Sequence, residues 1–200
     1  MLAAAVLATS VRLVASHAYV EGAPPGFSGG FKEDSCHACH FHEELNAGPG
    51  RVTIEGVPAV FAPGERYTLT ITLSRAGMTL AGFQLAARFK DGGAQAGALA
   101  PGASEADRIG IGTRDGIQYA GQKKAGTAVG TDGSARWTVV WTAPASGGSV
   151  IFHVSANAAD GNESADGDFV YTASVESSSP PQPAASLGGS GPARAARSRP

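Results

Sequence analysis

From Arg51 onward, apolar and polar residues exchange places at every second position, the period of a strand that buries one face. Val52 and Ile54 alternate with Thr53 and Glu55. After the Pro63-Gly64 turn, Tyr67, Leu69, Ile71 and Leu73 share one face, and Thr68, Thr70 and Thr72 share the other. Phe83, Leu85, Ala87 and Phe89 repeat the pattern, with Gln84 and Arg88 turned outward. A short strand is expected over Ile117–Tyr119. Trp137, Val139 and Trp141 alternate in the next long run, which Pro144 ends. Val150, Phe152 and Val154 follow, then Phe169, Tyr171 and Ala173. Residues 91–108 are rich in Gly, Ala and Ser and read as a long loop. Strands at this spacing, joined by Gly, Pro and Asp turns, predict an all-β, antiparallel, immunoglobulin-like sandwich over residues 49–175. The two tryptophans fit best as core residues bridging its sheets.

The flanks follow other rules. Residues 1–18 read as an export signal: Leu2–Ala8 and Val11–Val14 are apolar, and Ser16 and Ala18 are small residues where a signal peptidase reads. Arg12 interrupts the apolar run and no basic residue precedes it, so an amphipathic or buried first helix stays open as the rival reading. No stretch reaches the ~20 apolar residues of a membrane span. Residues 19–48 form a Gly/Pro-rich lead-in, irregular by composition, with Gly48-Pro49-Gly50 breaking any turn at its end. Residues 176–200 pass through Ser177-Ser-Ser-Pro-Pro-Gln-Pro183 into Gly, Ala and Arg, the composition of a disordered tail.

The chemistry is concentrated in Ser35-Cys-His-Ala-Cys-His-Phe-His42. Both cysteines of the chain and three of its five histidines lie there. Cys-x-x-Cys-His in an exported chain points to covalent attachment of haem c, with Cys36 and Cys39 forming the thioethers and His40 as the proximal iron ligand. Three alternatives remain at this stage. Cys36 and Cys39 can form a disulfide, hold zinc with His40 and His42, or act as a redox pair, although the βαβ setting of a thioredoxin-like motif is missing. Met78 and His153 are the candidates for a distal ligand: the first is an internal methionine in a loop, the second projects from the strand face opposite Phe152. His42 is too close along the chain to His40 to reach the far side of one haem.

Net charge narrows the partners. At a formal −2 the chain lacks the basic surface of a nucleic-acid binder. Redox proteins of the cell envelope are the expected partners if haem is carried. Neither a Ser-His-Asp constellation nor paired carboxylates suggest hydrolysis, so electron transfer or binding is expected rather than catalysis. Asp160, Asn162, Ser164, Asp166 and Asp168 alternate in a way that resembles calcium donors, but Ala165 stands where an EF-hand loop needs glycine, and a hairpin loop is the expectation.

The order of features resembles the choice-of-anchor V domain proteins, exported bacterial proteins distantly similar to the reelin (reeler) domain. The matching segments are Ser35-Cys-His-Ala-Cys-His40, Pro63-Gly-Glu-Arg-Tyr-Thr-Leu-Thr-Ile-Thr-Leu73, Gly82-Phe-Gln-Leu85, Trp137-Thr-Val-Val-Trp-Thr-Ala-Pro144, Ser155-Ala-Asn-Ala-Ala159 and Gly167-Asp-Phe-Val-Tyr-Thr172. The resemblance covers roughly residues 22–174. It implies a reeler-like sandwich of about seven or eight strands behind the cysteine motif. It also implies a secreted or periplasmic location and, as an alternative to haem carriage, an extracytoplasmic binding or adhesion module with the motif as a metal or disulfide clip. Members carry a Thr-His-Thr run before the tryptophan strand; the matching region here, Tyr119–Lys124, has no histidine.

Overall fold

The computed structural model describes residues 19–179, so the expected export signal and all but the start of the expected tail lie outside the described residues. Among the described residues there are nine strands: β1 (Arg51–Glu55), β2 (Arg66–Ser74), β3 (Leu80–Phe89), β4 (Ala98–Pro101), β5 (Ile109–Arg114), β6 (Ile117–Gln122), β7 (Ser134–Thr142), β8 (Val150–Ala159) and β9 (Phe169–Ser177). They form a four-stranded sheet, β1-β2-β7-β4, and a five-stranded sheet, β5-β6-β3-β8-β9, with every ladder antiparallel. The all-β sandwich expected from the alternation is the observed architecture. Among the described residues, helix is limited to two 3-10 turns, and no helix is long and apolar enough to cross a membrane.

The core lies between the sheets, where the inward residues of both patterns meet. Leu69, Ile71 and Leu73 of β2 and Val139 of β7 face Leu85 of β3 and Phe152 and Val154 of β8, all fully buried. The tryptophans join the layers as expected. Trp137 stacks on Phe83 with ring centroids 4.5 Å apart. Trp141 meets Phe152 edge-on at 4.8 Å. Such pairs add about 1 kcal/mol each beyond the area they bury. Neither indole leaves a buried donor unpaired: Trp137 Nε1 donates to the Gly126 carbonyl (2.7 Å) and Trp141 Nε1 to that of Ala96 (2.9 Å).

Two strands escaped the sequence pattern. Residues 91–108 are not one long loop: β4 lies within them and pairs with β7 at Leu99↔Trp141. Four residues ending in Pro101 are too short to show a period, and pairing with a long neighbour, not intrinsic preference, makes them a strand. β5 was hidden because Gly110 and Gly112 occupy alternate positions where side chains would mark a face. The need at Gly112 is steric: a Cβ there would stand 2.7 Å from Pro25 Cγ. β9 runs to Ser177, and Val60 and Ser178 form a parallel bridge, so ordered structure extends past residue 175.

The lead-in is irregular, as its glycines and prolines foretell, yet it is no separate segment. It lies across the outer face of the five-stranded sheet. That face is therefore buried as well, with Gln84 at 3% exposure, Ser155 at 0% and Asn157 at 8%.

Candidate functional site

Three anchors hold the lead-in against the sheet. Gln84 Oε1 accepts from the Gly26 amide (2.8 Å) and the Phe27 amide, and its Nε2 donates to the Pro24 carbonyl (2.9 Å). One glutamine thus satisfies three backbone groups that the irregular chain cannot pair by itself. Next comes a small hairpin in which Ser28 and Ser35 bridge. Phe31 and Lys32 form its tip with φ of 54° and 66°. Left-handed backbone at non-glycine residues costs ~1–2 kcal/mol each. Packing offsets it: Phe31 meets His153 edge-on at 5.4 Å, and the Arg88 guanidinium lies 4.5 Å over its ring. Glu33 then binds Arg88, the Tyr119 hydroxyl and Ser28 Oγ. Desolvation and the Glu33 bond push the Tyr119 phenol well above its ordinary range.

The third anchor sets the cysteine motif. The Cys36 amide donates to Ser155 Oγ (3.0 Å), which fixes the first cysteine over β8. Cys36–Ala38 is one 3-10 turn, capped by Ser35 Oγ accepting from the His37 amide (3.2 Å). The His40 amide closes the turn onto the Cys36 carbonyl at 3.0 Å. The motif was expected on a loop or a single helical turn, and it sits on such a turn. Both cysteines are free thiols, Cys36 partly covered and Cys39 exposed. Desolvation pushes the Cys36 thiol up to about 11.

His40 is held from behind. Its Nδ1 lies 2.6 Å from Asp168 Oδ2 and 3.1 Å from Asn157 Nδ2. The Asp168 side chain is 2% exposed against 28% for the imidazole, so the carboxylate is the buried member of the pair. Asp168 also accepts from Asn157 Nδ2 (3.2 Å) and from the Asp160 amide (3.2 Å). Asn157 Oδ1 is buried without a hydrogen-bond partner among the described residues. The recorded bonds of the His40 ring all fall on Nδ1, which leaves Nε2 as the atom available to a ligand. His37 Nε2 donates to the Glu43 carbonyl (2.8 Å), and His42 Nδ1 pairs with Asp166 (3.0 Å).

Cys36, Cys39 and His40 line one cleft of about 350 Å³. Its floor is the start of β3, Leu80 to Gln84; Asn157, Asp168 and the β8–β9 loop stand on one side, and Tyr19, Val20, Ala23, Pro24 and Gln122 are among the residues on the other. The cleft is mostly apolar with a few convergent polar groups, the composition of a small-molecule or cofactor site. Neither expected distal ligand reaches it. Met78 is buried in the core between the sheets. His153 does project from the outer face of β8, but Phe31 and Gly30 cover it, and desolvation lowers its pKa.

Among the described residues, no three His, Cys, Asp or Glu side chains converge in a way that would hold a metal ion by themselves. The Asp160–Asp168 segment is the β8–β9 hairpin loop. Its oxygens are committed to local turns: Asp160 Oδ1 accepts from the Asn162 amide (3.0 Å), Asn162 Oδ1 from that of Ser164 (2.8 Å) and Ser164 Oγ from that of Asp166 (3.1 Å). Sequence reasoning found the cysteines and His40 but missed Asp168 and Asn157. Asp168 was visible only as one of several acids in a turn-rich loop.

No family model matches the chain, and no curated protein matches it. Solved structures do. The Reelin-N domain of F-spondin aligns with a TM-score of 0.47 and 17% identity over 73% of this chain and 98% of that one. The human F-spondin reeler domain aligns with 0.43 and 17% over 67% and 92%. A cohesin module from a Clostridium perfringens family 33 glycoside hydrolase aligns with 0.42 and 13% over 65% and 96%. These likenesses concern the fold alone: reeler and cohesin domains are among the sandwiches to which this chain is similar.

Proposed function

We propose that this chain is an exported, reeler-like binding module, and that the group it carries is haem c, joined at Cys36 and Cys39 and ligated by His40. One observation carries the reading: the imidazole that follows the second cysteine lines the same apolar cleft as both thiols, with its Nδ1 held at 2.6 Å by a buried carboxylate. A histidine that ligates a metal nearly always engages its second ring nitrogen in this way, which fixes the tautomer and raises the basicity of the donor. The cysteine motif ahead of a sandwich also supports the choice-of-anchor V resemblance.

The residues divide the work. The Cys36 and Cys39 thiols would hold the group covalently through its vinyl carbons, and His40 Nε2 would face its iron. Bound there, haem supplies one-electron redox chemistry, tuned by its axial ligand and by burial. Asp168 orients His40 and draws on its Nδ1 proton. Asn157 and the Asp160 amide hold Asp168 in turn. The apolar floor would keep water from the Nε2 side of the imidazole. The exposed side chains of Tyr19, Val20 and Leu80 line or rim the same opening, a surface suited to brief contact with a redox partner of the cell envelope. Zinc fits less well, because among the described residues no three His, Cys, Asp or Glu side chains converge to hold it.

The second reading keeps the module and drops the haem: an extracytoplasmic binding or adhesion domain whose cleft takes an apolar ligand directly. Its support is the open, apolar character of the cleft itself. Expression of the full chain beside a cytochrome c maturation system separates the two. The expected result is a haem-staining band on a denaturing gel, absent from the Cys36→Ala/Cys39→Ala double variant, and an altered spectrum in His40→Ala. An exported wild-type protein with the mass of the bare polypeptide overturns the haem reading and leaves the second.

A further inference from the structure

We propose that the outer face of the five-stranded sheet holds a second binding site, a polar cavity bounded by Lys32, Arg88 and Arg114, which takes a small zwitterion: a free α-amino acid with an uncharged side chain. The site is independent of the haem reading. The cavity, about 410 Å³, shares no lining residue with the cysteine cleft. Along β3 the two are set apart as well. The cleft ends at Gln84, and Arg88 lies ~13 Å further on at ~3.3 Å per residue. Three turns meet at the cavity: the Ser28–Ser35 hairpin, the turn after β3 at Gly93, and the β5–β6 turn at Asp115. Ile117 and Tyr119 of β6 give it an apolar wall.

Six charged side chains line the cavity, three of each sign. A ligand of one net sign would lose to one set what it gained from the other, whereas a dipolar ligand uses both. Arg88 and Glu33 pair with each other and are largely covered, at 15% and 18% exposure. Glu33 also accepts from the Tyr119 hydroxyl and from Ser28 Oγ. Arg88 commits Nε to the Gly93 carbonyl and Nη1 to Glu33, and its Nη2 has no hydrogen-bond partner among the described residues. Arg114 meets Asp115 only at 3.5 Å, with both side chains mostly in solvent. Lys32 and Asp34 form no ion pair and no side-chain hydrogen bond with any described residue. The cavity therefore offers uncommitted charge of both signs above a matched pair. Lys32, Arg114 and Arg88 Nη2 suit a carboxylate; Asp34 and Asp115 suit an ammonium. A third ligand charge would find no partner beside the Ile117 and Tyr119 wall.

The backbone at Lys32 points the same way. The Glu33 amide donates to the Gly30 carbonyl at 2.9 Å, so Phe31 and Lys32 are the central pair of a tight turn, both left-handed. Asn-Gly suits such a turn far better. Phe31 is repaid by its packing on His153 and Arg88. Lys32 is exposed and gains no ion pair or hydrogen bond within the fold, so its left-handed backbone goes uncompensated unless a ligand engages its ammonium. Uncompensated backbone of this kind gathers at binding sites.

The test is calorimetric titration of the exported full chain with glycine, L-alanine and L-leucine. L-glutamate, L-lysine and the N-acetyl and amide forms of whichever amino acid binds are compared with it. Saturable binding of at least one of the three is expected, weakened about tenfold or more by either cap, as each cap deletes one charge-assisted contact. Lys32→Asn keeps a residue that tolerates the left-handed turn. It and Asp34→Asn should each weaken binding about tenfold, with thermal unfolding unchanged. The Cys36→Ala/Cys39→Ala variant should bind as wild type does. No binding of the three at millimolar concentration overturns the proposal. So does equal affinity for either capped form, for L-glutamate or for L-lysine, and so does unchanged affinity in Lys32→Asn or Asp34→Asn. Loss of binding in the cysteine variant would place the ligand in the other cleft and overturn it too. The haem stain is read separately, so either conclusion can fail alone.

Discussion

The inner face of the five-stranded sheet carries Phe83, Leu85, Phe152 and Val154 against the tryptophans of the other sheet. Its outer face carries Gln84, Ser155 and Asn157, polar and equally covered, beside a small apolar cluster of Ala86, Ile117 and Tyr119. The inner face is held by area: each large side chain contributes about 1.5–3 kcal/mol by leaving water. The outer face is held by satisfaction. Its polar groups are buried because the lead-in needs partners for backbone amides and carbonyls that no ladder supplies. The first face makes the fold. The second positions the cysteine motif, because Gln84 holds the approach, Ser155 the first cysteine and Asn157, by way of Asp168, the histidine.

If the faces differ in this way, they respond differently to truncation. Trp137→Ala removes a fully buried ring that stacks on Phe83, and a loss of about 3–5 kcal/mol is expected from the denaturant midpoint. Both layers should unfold together, since the outer one has no support of its own. Gln84→Ala strands two amides and a carbonyl, and a loss of about 1–3 kcal/mol is expected. There the change should be local. Hydrogen exchange should quicken at Gly26 and Phe27 while β2 and β7 stay protected; uniform quickening across all strands would show that the two faces form one cooperative unit.

The smallest effect concerns Cys36 in the haem-free chain. Its thiol moves from an ordinary 9.0 to about 11 on folding, chiefly by desolvation. The native state therefore holds the proton longer than the unfolded state does. The stability this contributes is complete below pH 9 and is lost as pH rises toward 11. Urea midpoints should fall across that window, and Cys36→Ser should flatten the fall. A thioether has no such proton, so a haem-loaded chain should lack this component.

The strands were legible wherever one face meets the core and the other meets solvent or another layer, as in Tyr67–Leu73 and Arg136–Thr142. β4 and β5 were illegible for two different reasons. β4 is too short to display a period, and in β5 two glycines leave no face to read, Gly112 because Pro25 of the lead-in passes there. Of the site, Cys36, Cys39 and His40 were legible because their chemistry demands a fixed spacing along the chain. Asp168 and Asn157 were illegible because they come from the β8–β9 hairpin, more than a hundred residues away in sequence. His153 shows the converse: strand parity put it on the outer face correctly, and the Phe31 hairpin, which no periodicity reports, covers it.

Alternation along the chain determined by itself that this protein is a β-sandwich with a tryptophan-bridged core, because a strand's period of two ties burial directly to residue order. The cysteine motif likewise declared its own chemistry through local spacing. Only the tertiary structure decided that the polar face of β3 and β8 is covered, that Asp168 stands behind His40, and that Tyr19 reaches the cleft. Those contacts join residues whose separation in sequence carries no signal, and they exist only once the lead-in has folded across the sheet.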